Sequence, residues 1–273
     1  MFLPIHDHNN EPVKIFPVVC YTVMALCFAV HIYLFILTTV ARNPQYARLN
    51  FLYSHGMVPV VYFSGDTTYQ IGTREMHIAP EDLQMLKDLP EDSGARYLAE
   101  LMEINTNWFW IFIMPLTATL IHADWLHLMT NIWFFWIFSD NVEEKFGSFL
   151  FLLFYLSGGC FSSLVFALLR ADVSTVLIGA SGAVFAVMGA YIVLFPRNRV
   201  TSYVCPVWFF IRRVDLHAIF VLGMFFLIDI VRWMQQPESA IAFDAHISGF
   251  LFGVVVAAII KSLQSSTKSA TQS

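Results

Sequence analysis

Four polar side chains, His127, Asn131, Ser181 and His246, interrupt apolar runs of this chain. A strongly polar or ionisable group inside a membrane span is costly, so each is a candidate for function. A serine hydroxyl beside an imidazole is the pair that nucleophilic acyl transfer needs. The ring takes the hydroxyl proton and later returns a proton to the leaving group. A carboxamide and a second imidazole can donate hydrogen bonds to the oxyanion that develops in such a reaction. Taken singly, each residue has a plainer reading. Membrane helices also use histidine and asparagine as interhelical hydrogen-bonding groups and serine as a small packing residue.

These groups need helices that cross a bilayer, and the composition supplies them. Of the 273 residues, 58% are apolar and 13% charged, where a soluble domain carries about a quarter charged. That excludes a soluble globular protein, a disordered chain and a disulfide scaffold, and implies a polytopic membrane protein whose surroundings are lipid. The net charge of −5 argues against nucleic acid as a partner. Cys20, Cys27, Cys160 and Cys205 form no CxxC pair and read as packing residues.

Six spans are expected, over about Ile15–Val40, Asp124–Ser139, Ser148–Leu169, Ser181–Pro196, Asp215–Val231 and Ala245–Ile260. Residues 1–14 form an N-terminal segment, 15–262 the membrane domain, and 263–273 a polar tail expected to be disordered. With an even number of spans both termini share a side. A cytoplasmic N-terminus puts Lys14, Lys145, Arg197, Arg199, Arg212, Arg213, Lys261 and Lys268 inside, against Arg170 and Arg232 in the short outer loops. The positive-inside rule favours that orientation and leaves the long first loop, about 41–107, outside. Within that loop Val58–Phe63 reads as a strand, Gly65-Asp66 as a turn, Pro80–Leu89 as a helix, and Ser93 as the cap of another.

Helical rise puts the candidates at one depth. His127 lies thirteen residues before Asp140, Ser181 fifteen before Pro196, and His246 fifteen before Lys261. At ~1.5 Å per residue these are roughly 20–22 Å above the inner edge of a core ~30 Å thick. Asn131 shares a helix face with His127, one turn on. His122 does not share it, and is expected ahead of the helix, tying down the loop. Gly182, Ala186 and Ala190 in the fourth span, and Gly249 and Gly253 in the sixth, form small-residue ridges that allow close approach. Phe185, one turn below Ser181, is expected to stack on the His246 ring. Gly179 and Gly182 allow a tight turn before the fourth span. Asp229 and Arg232, spaced i,i+3 near the outer end of the fifth, read as a structural ion pair, and Asp244 as a cap of the sixth.

Three segments resemble the rhomboid intramembrane serine proteases in order, spacing and span: His122-Ala-Asp-Trp-Leu-His127-Leu-Met-Thr-Asn131, Gly179-Ala-Ser181-Gly182, and Ala245-His246-Ile-Ser-Gly249 with Gly253. The likeness extends to Trp136–Gly147 and Leu194–Val200. Leu3-Pro4-Ile5 and Gly56-Met57-Val58-Pro59 look like bacterial members, so a bacterial inner membrane is the expected location. It implies an all-α membrane protein, a six-helix rhomboid-like bundle with a long first outer loop. It also implies a Ser181–His246 dyad with no carboxylate orienting the ring, so that packing by Phe185 does the orienting. The Ser181 N–H, His127 and Asn131 would form the oxyanion hole, and neither cofactor nor metal is implied. The substrate implied is a transmembrane segment of another protein, cut near its outer end after a small residue. The fifth span and the loop Trp233–Phe243 would cover the site.

Two departures stand out. Trp108 and Trp110 lack the adjacent Arg that some members carry, and Asp124 stands where many have Gly. Two other readings compete. One is a catalytically silent relative that binds membrane clients, although such relatives lack the serine or the histidine and this chain has both. The other is a metalloenzyme using His122, His127, His246 and Asp124 or Asp244, although no HExxH is present and no two histidines share a helical face.

Overall fold

A computed structural model describes residues 2–8, 14–65, 68–70, 103–171, 175–204, 212–236, 239 and 241–270. Strand β1 (Phe2–His8) precedes α1 (Val18–Val40), α2 (Pro44–His55) and α3 (Pro59–Ser64). Short strands β2 (Thr68–Gln70) and β3 (Glu103–Asn105) lead to α4 (Trp108–Thr117) and a 3₁₀ turn (Ala118–Leu120). Then come α5 (Trp125–Phe146), α6 (Ser148–Leu169), α7 (Ser181–Leu194), β4 (Arg199–Val204), β5 (Arg212–His217), α8 (Ala218–Gln235) and α9 (Phe243–Ala270).

The bundle is built from α1, α5, α6, α7, α8 and α9. By length and apolarity α1, α6, α8 and residues Phe243–Ser265 of α9 can each cross a membrane. The segment from Trp108 to Leu120 and α5 are long and apolar enough only when taken together, across a bend of 77°. Helix α7 has only 14 residues, about 21 Å at the helical rise, short of the hydrocarbon thickness. It is instead the central helix, with its residues from Gly182 to Tyr191 buried except Phe185. The expected all-α bundle is the architecture found, and these spans make the chain an integral membrane protein.

Several local expectations are corrected. Val58–Phe63 is not a strand: Pro59, with its fixed φ, opens the short helix α3, and Gly65 ends it in the left-handed region at φ 73°. The fifth span does not start at Asp215. Residues Arg212–His217 form β5, which pairs antiparallel with β4, Val200 facing Leu216, and the helix begins at Ala218. The polar run Asp140–Lys145 is not a loop but the last turns of α5. There Glu143, fully buried, accepts from the Val19 and Cys20 N–H groups at 3.1 and 2.9 Å and so supplies the cap that Pro17 cannot give α1. Helix α9 runs to Ala270, so the boundary expected near residue 263 falls inside it. The helices expected over 80–102, like Asp66 and Cys205, lie outside the described residues.

Strand β1 adds to the edge of β4, with a bulge between Pro4 and His6, giving a sheet ordered β1-β4-β5 at the end of α7 away from Ser181. A buried polar cluster fixes it there. Asp7 accepts hydrogen bonds from Asn141 (2.6 Å) and the Tyr191 hydroxyl (2.8 Å).

Candidate active site

Ser181 is the first residue of α7, and the segment before it is clamped from three directions. The Leu177 and Met57 backbones exchange hydrogen bonds of 2.8 and 2.9 Å, the Gly179 N–H donates to Ala118 at 2.9 Å, and the Ala180 N–H to His122 Nε2 at 3.5 Å. His122 is fully buried in the break between the 3₁₀ turn and α5, so it does tie the loop as its position ahead of the helix suggested. Gly179 has φ 125°, a conformation side chains rarely adopt, and a Cβ there would stand 2.8 Å from His127 Nε2. The sharp turn and the nearness of the His127 ring both require glycine.

Helix α5 starts at Asp124, whose side chain accepts from the His127 N–H at 2.8 Å. That cap fixes the turn from which His127 and Asn131 project. The Asn131 amide donates to the His127 carbonyl at 2.9 Å.

Helices α7 and α9 pack more extensively than any other pair of elements. A Cβ on Gly249 would fall on the Gly182 carbonyl, one on Gly253 on that of Ala186, and one on Gly182 on the Ser162 hydroxyl. Backbone meets backbone along this seam. The result is that Ser181 Oγ lies 2.8 Å from His246 Nε2. The Phe185 ring stacks on the imidazole at 4.4 Å and 9°, and Phe243 meets its edge at 6.2 Å.

The other ring nitrogen has a partner that the sequence reading missed. His246 Nδ1 is 2.8 Å from Asp229 Oδ2, both side chains 13% exposed. Asp229 therefore turns to His246 on α9, and the expected pairing with Arg232 is not what the fold forms. The reason is rotational: docking α8 against α9 aims position 229 across the interface, while Arg232 stays exposed. The signal was available. Asp229 is a lone carboxylate in an apolar helix, about 9 Å before its C-terminal end. Asp244, by contrast, lies inside the first turn of α9 and not in a loop ahead of it; its carboxylate accepts from the Ala245 N–H at 3.0 Å and binds Arg170 Nε at 2.9 Å.

These side chains share a cavity of about 730 Å³ lined by His127, Asn131, Ser181, Phe185, Arg170 and His246, among mostly apolar neighbours that include Leu126, Phe134, Phe166 and Ile241. The arrangement can activate a hydroxyl, hold an acyl group beside polar donors, and accept an apolar chain. Among the described residues no three His, Cys, Asp or Glu side chains are grouped to hold a metal ion.

Comparison with known proteins agrees with the fold. The Rhomboid domain family matches residues 107–263, more than half of the chain. Rhomboid-like protein 11, chloroplastic, of Arabidopsis thaliana is 32% identical over 154 residues, 55% of this chain and 53% of that protein. Presenilin-associated rhomboid-like protein, mitochondrial, of Mus musculus is 29% identical over 144 residues, 51% of this chain and 36% of that one. RHOMBOID-like protein 6, mitochondrial, of Arabidopsis thaliana is 28% identical over 173 residues, 62% of this chain and 49% of its own length. The match thus spans a third to about half of these curated relatives. Their names give chloroplast and mitochondrion as compartments, so they lend no support to the bacterial inner membrane expected above. With the matched region taking in α4 to α9 and every one of the four candidate side chains, the chain belongs to the rhomboid family.

Proposed function

We propose that this protein is an intramembrane serine endopeptidase that cuts transmembrane segments of other membrane proteins. The observation that carries the reading is the 2.8 Å contact between Ser181 Oγ and His246 Nε2. It lies in a cavity able to take an apolar chain.

In this reading His246 Nε2 takes the Ser181 proton as Oγ bonds to the scissile carbonyl carbon. The carbonyl π electrons move to its oxygen. That oxyanion meets the Ser181 N–H, which has no intrahelical partner in the first turn of α7, together with His127 and Asn131. Collapse breaks the C–N bond, and the imidazolium gives its proton to the leaving amine. Water, deprotonated by the same ring, then adds to the acyl carbon, and the C–Oγ bond breaks as the imidazolium returns its proton to Ser181. A helical substrate hides its carbonyls in hydrogen bonds, so segments weakened by Gly or Pro should be cut best. The basic-residue count supports a cytoplasmic N-terminus with the cut near the outer end. Single cysteines in the 41–107 loop that react with an impermeant reagent only from the cytoplasmic side would refute that orientation.

The test is cleavage of a single-span reporter by the protein reconstituted in vesicles, alongside labelling by a fluorophosphonate. Both should be abolished by Ser181→Ala and survive a zinc chelator. Cleavage that persists in Ser181→Ala overturns the reading. A wild type that neither cuts nor labels favours the silent client-binding relative.

A further inference from the structure

We infer that Asp229 is the positioning carboxylate of a Ser181–His246–Asp229 relay, a deeper reading of the same site that rests on the proposed peptidase activity. The geometry is a chain of two contacts through one ring: Ser181 Oγ to His246 Nε2 at 2.8 Å, and His246 Nδ1 to Asp229 Oδ2 at 2.8 Å. A carboxylate oxygen only accepts, so Nδ1 carries the ring proton. That leaves the Nε2 lone pair facing the hydroxyl, the one tautomer able to act as base. Stacking by Phe185 fixes the plane of the ring but is indifferent to its tautomer. Asp229 supplies what stacking cannot. When Nε2 takes the serine proton, Asp229 takes none; it keeps its bond to Nδ1–H and offsets the imidazolium charge.

The surroundings leave this task to Asp229. Asp244, two residues from His246, is engaged by Arg170, and Asp124 is spent on the first turn of α5. Among the described residues the ring's hydrogen-bond partners are Ser181 and Asp229. The carboxylate also comes from a thinly held helix: α8 buries only Ala218, Val221 and Leu222, all at its other end. From its middle onward it meets the bundle through the Phe225–Phe134 edge contact at 5.1 Å, the Phe226–Phe250 stack at 4.4 Å and the Asp229–His246 bond. The ring therefore keeps its carboxylate partner only while α8 is seated against α9.

The experiment compares wild type, Asp229→Asn, Asp229→Glu and Ser181→Ala in vesicles. It measures kcat and KM on a single-span reporter, the rate of fluorophosphonate labelling, and thermal unfolding. Asp229→Asn should lose between about 10-fold and about 10⁴-fold in kcat, the upper figure being the cost of this change in a soluble triad. Labelling should slow in parallel, with KM and Tm unchanged, and Asp229→Glu should recover part of the rate. A kcat within twofold of wild type overturns the assignment while leaving Ser181 in place. So does a loss accompanied by raised KM, lowered Tm and an equally impaired Glu variant, which marks Asp229 as structural only. A wild type that behaves like Ser181→Ala in both assays overturns the peptidase reading and this one with it.

Discussion

Gly249 faces the carbonyl oxygen of Gly182 with no room for a β-carbon between them. One residue before Gly182 is Ser181, and one helical turn before Gly249 is His246, so this contact sets the distance between hydroxyl and imidazole. The chemistry of the site depends on a backbone seam that no polar residue marks.

The seam gives the first prediction. Gly249→Ala must push α9 from α7, and overpacking of this kind costs about 1–3 kcal/mol. Thermal unfolding should shift down and fluorophosphonate labelling should slow. Gly223→Ala in α8 is the control, because a Cβ there meets nothing, and helix propensity makes that change neutral to stabilising by up to about 1 kcal/mol. Equal behaviour of the two variants would mean the seam is not tight.

A second prediction concerns Asn131. Of its two amide hydrogens one is donated to the His127 carbonyl. The other has no partner among the described residues and faces the cavity that Asn131 lines. Asn131→Ala should lower kcat by about 10²–10³-fold, the usual cost of one oxyanion donor, without abolishing turnover. Unchanged kinetics would remove Asn131 from that role and leave it as a helix-stabilising contact.

The polar cluster under β1 carries a pH dependence. Burial raises the Asp7 carboxyl above its ordinary 3.8, against the lowering effect of its hydrogen bonds from Tyr191 and Asn141. The folded protein thus holds the neutral acid more tightly than the unfolded chain does. Asp7 contributes stability that is fully present below pH 3.8, and that is lost as pH rises through the folded value. Asp7→Asn is neutral at every pH and lacks this term. The Tm difference, wild type minus Asp7→Asn, should therefore grow as pH falls from 7 towards 4.5. A difference that stays flat would show that Asp7 is not strained by its burial.

Much of the site was legible in the residues themselves. A regular helical rise converts sequence spacing into depth, so His127, Ser181 and His246 could be put at one level before any packing was known. The small residues at 182, 249 and 253 marked the helices that approach most closely. Local rules did less well where a segment's partner lay elsewhere. Residues Arg212–His217 are not apolar enough to announce a strand, and take that form because β4 offers them an edge. Glu143 looks like loop polarity until the start of α1 is brought onto it.

What the sequence determined alone was the class of protein, the family likeness, and the identity of the hydroxyl, the imidazoles and the carboxamide. These follow from composition and from a helix geometry that every residue shares. Only the tertiary structure decided that Asp229 turns to His246 and away from Arg232. The azimuth of one helix against its neighbour is set by how their ridges interlock, and no count along a single helix contains that information.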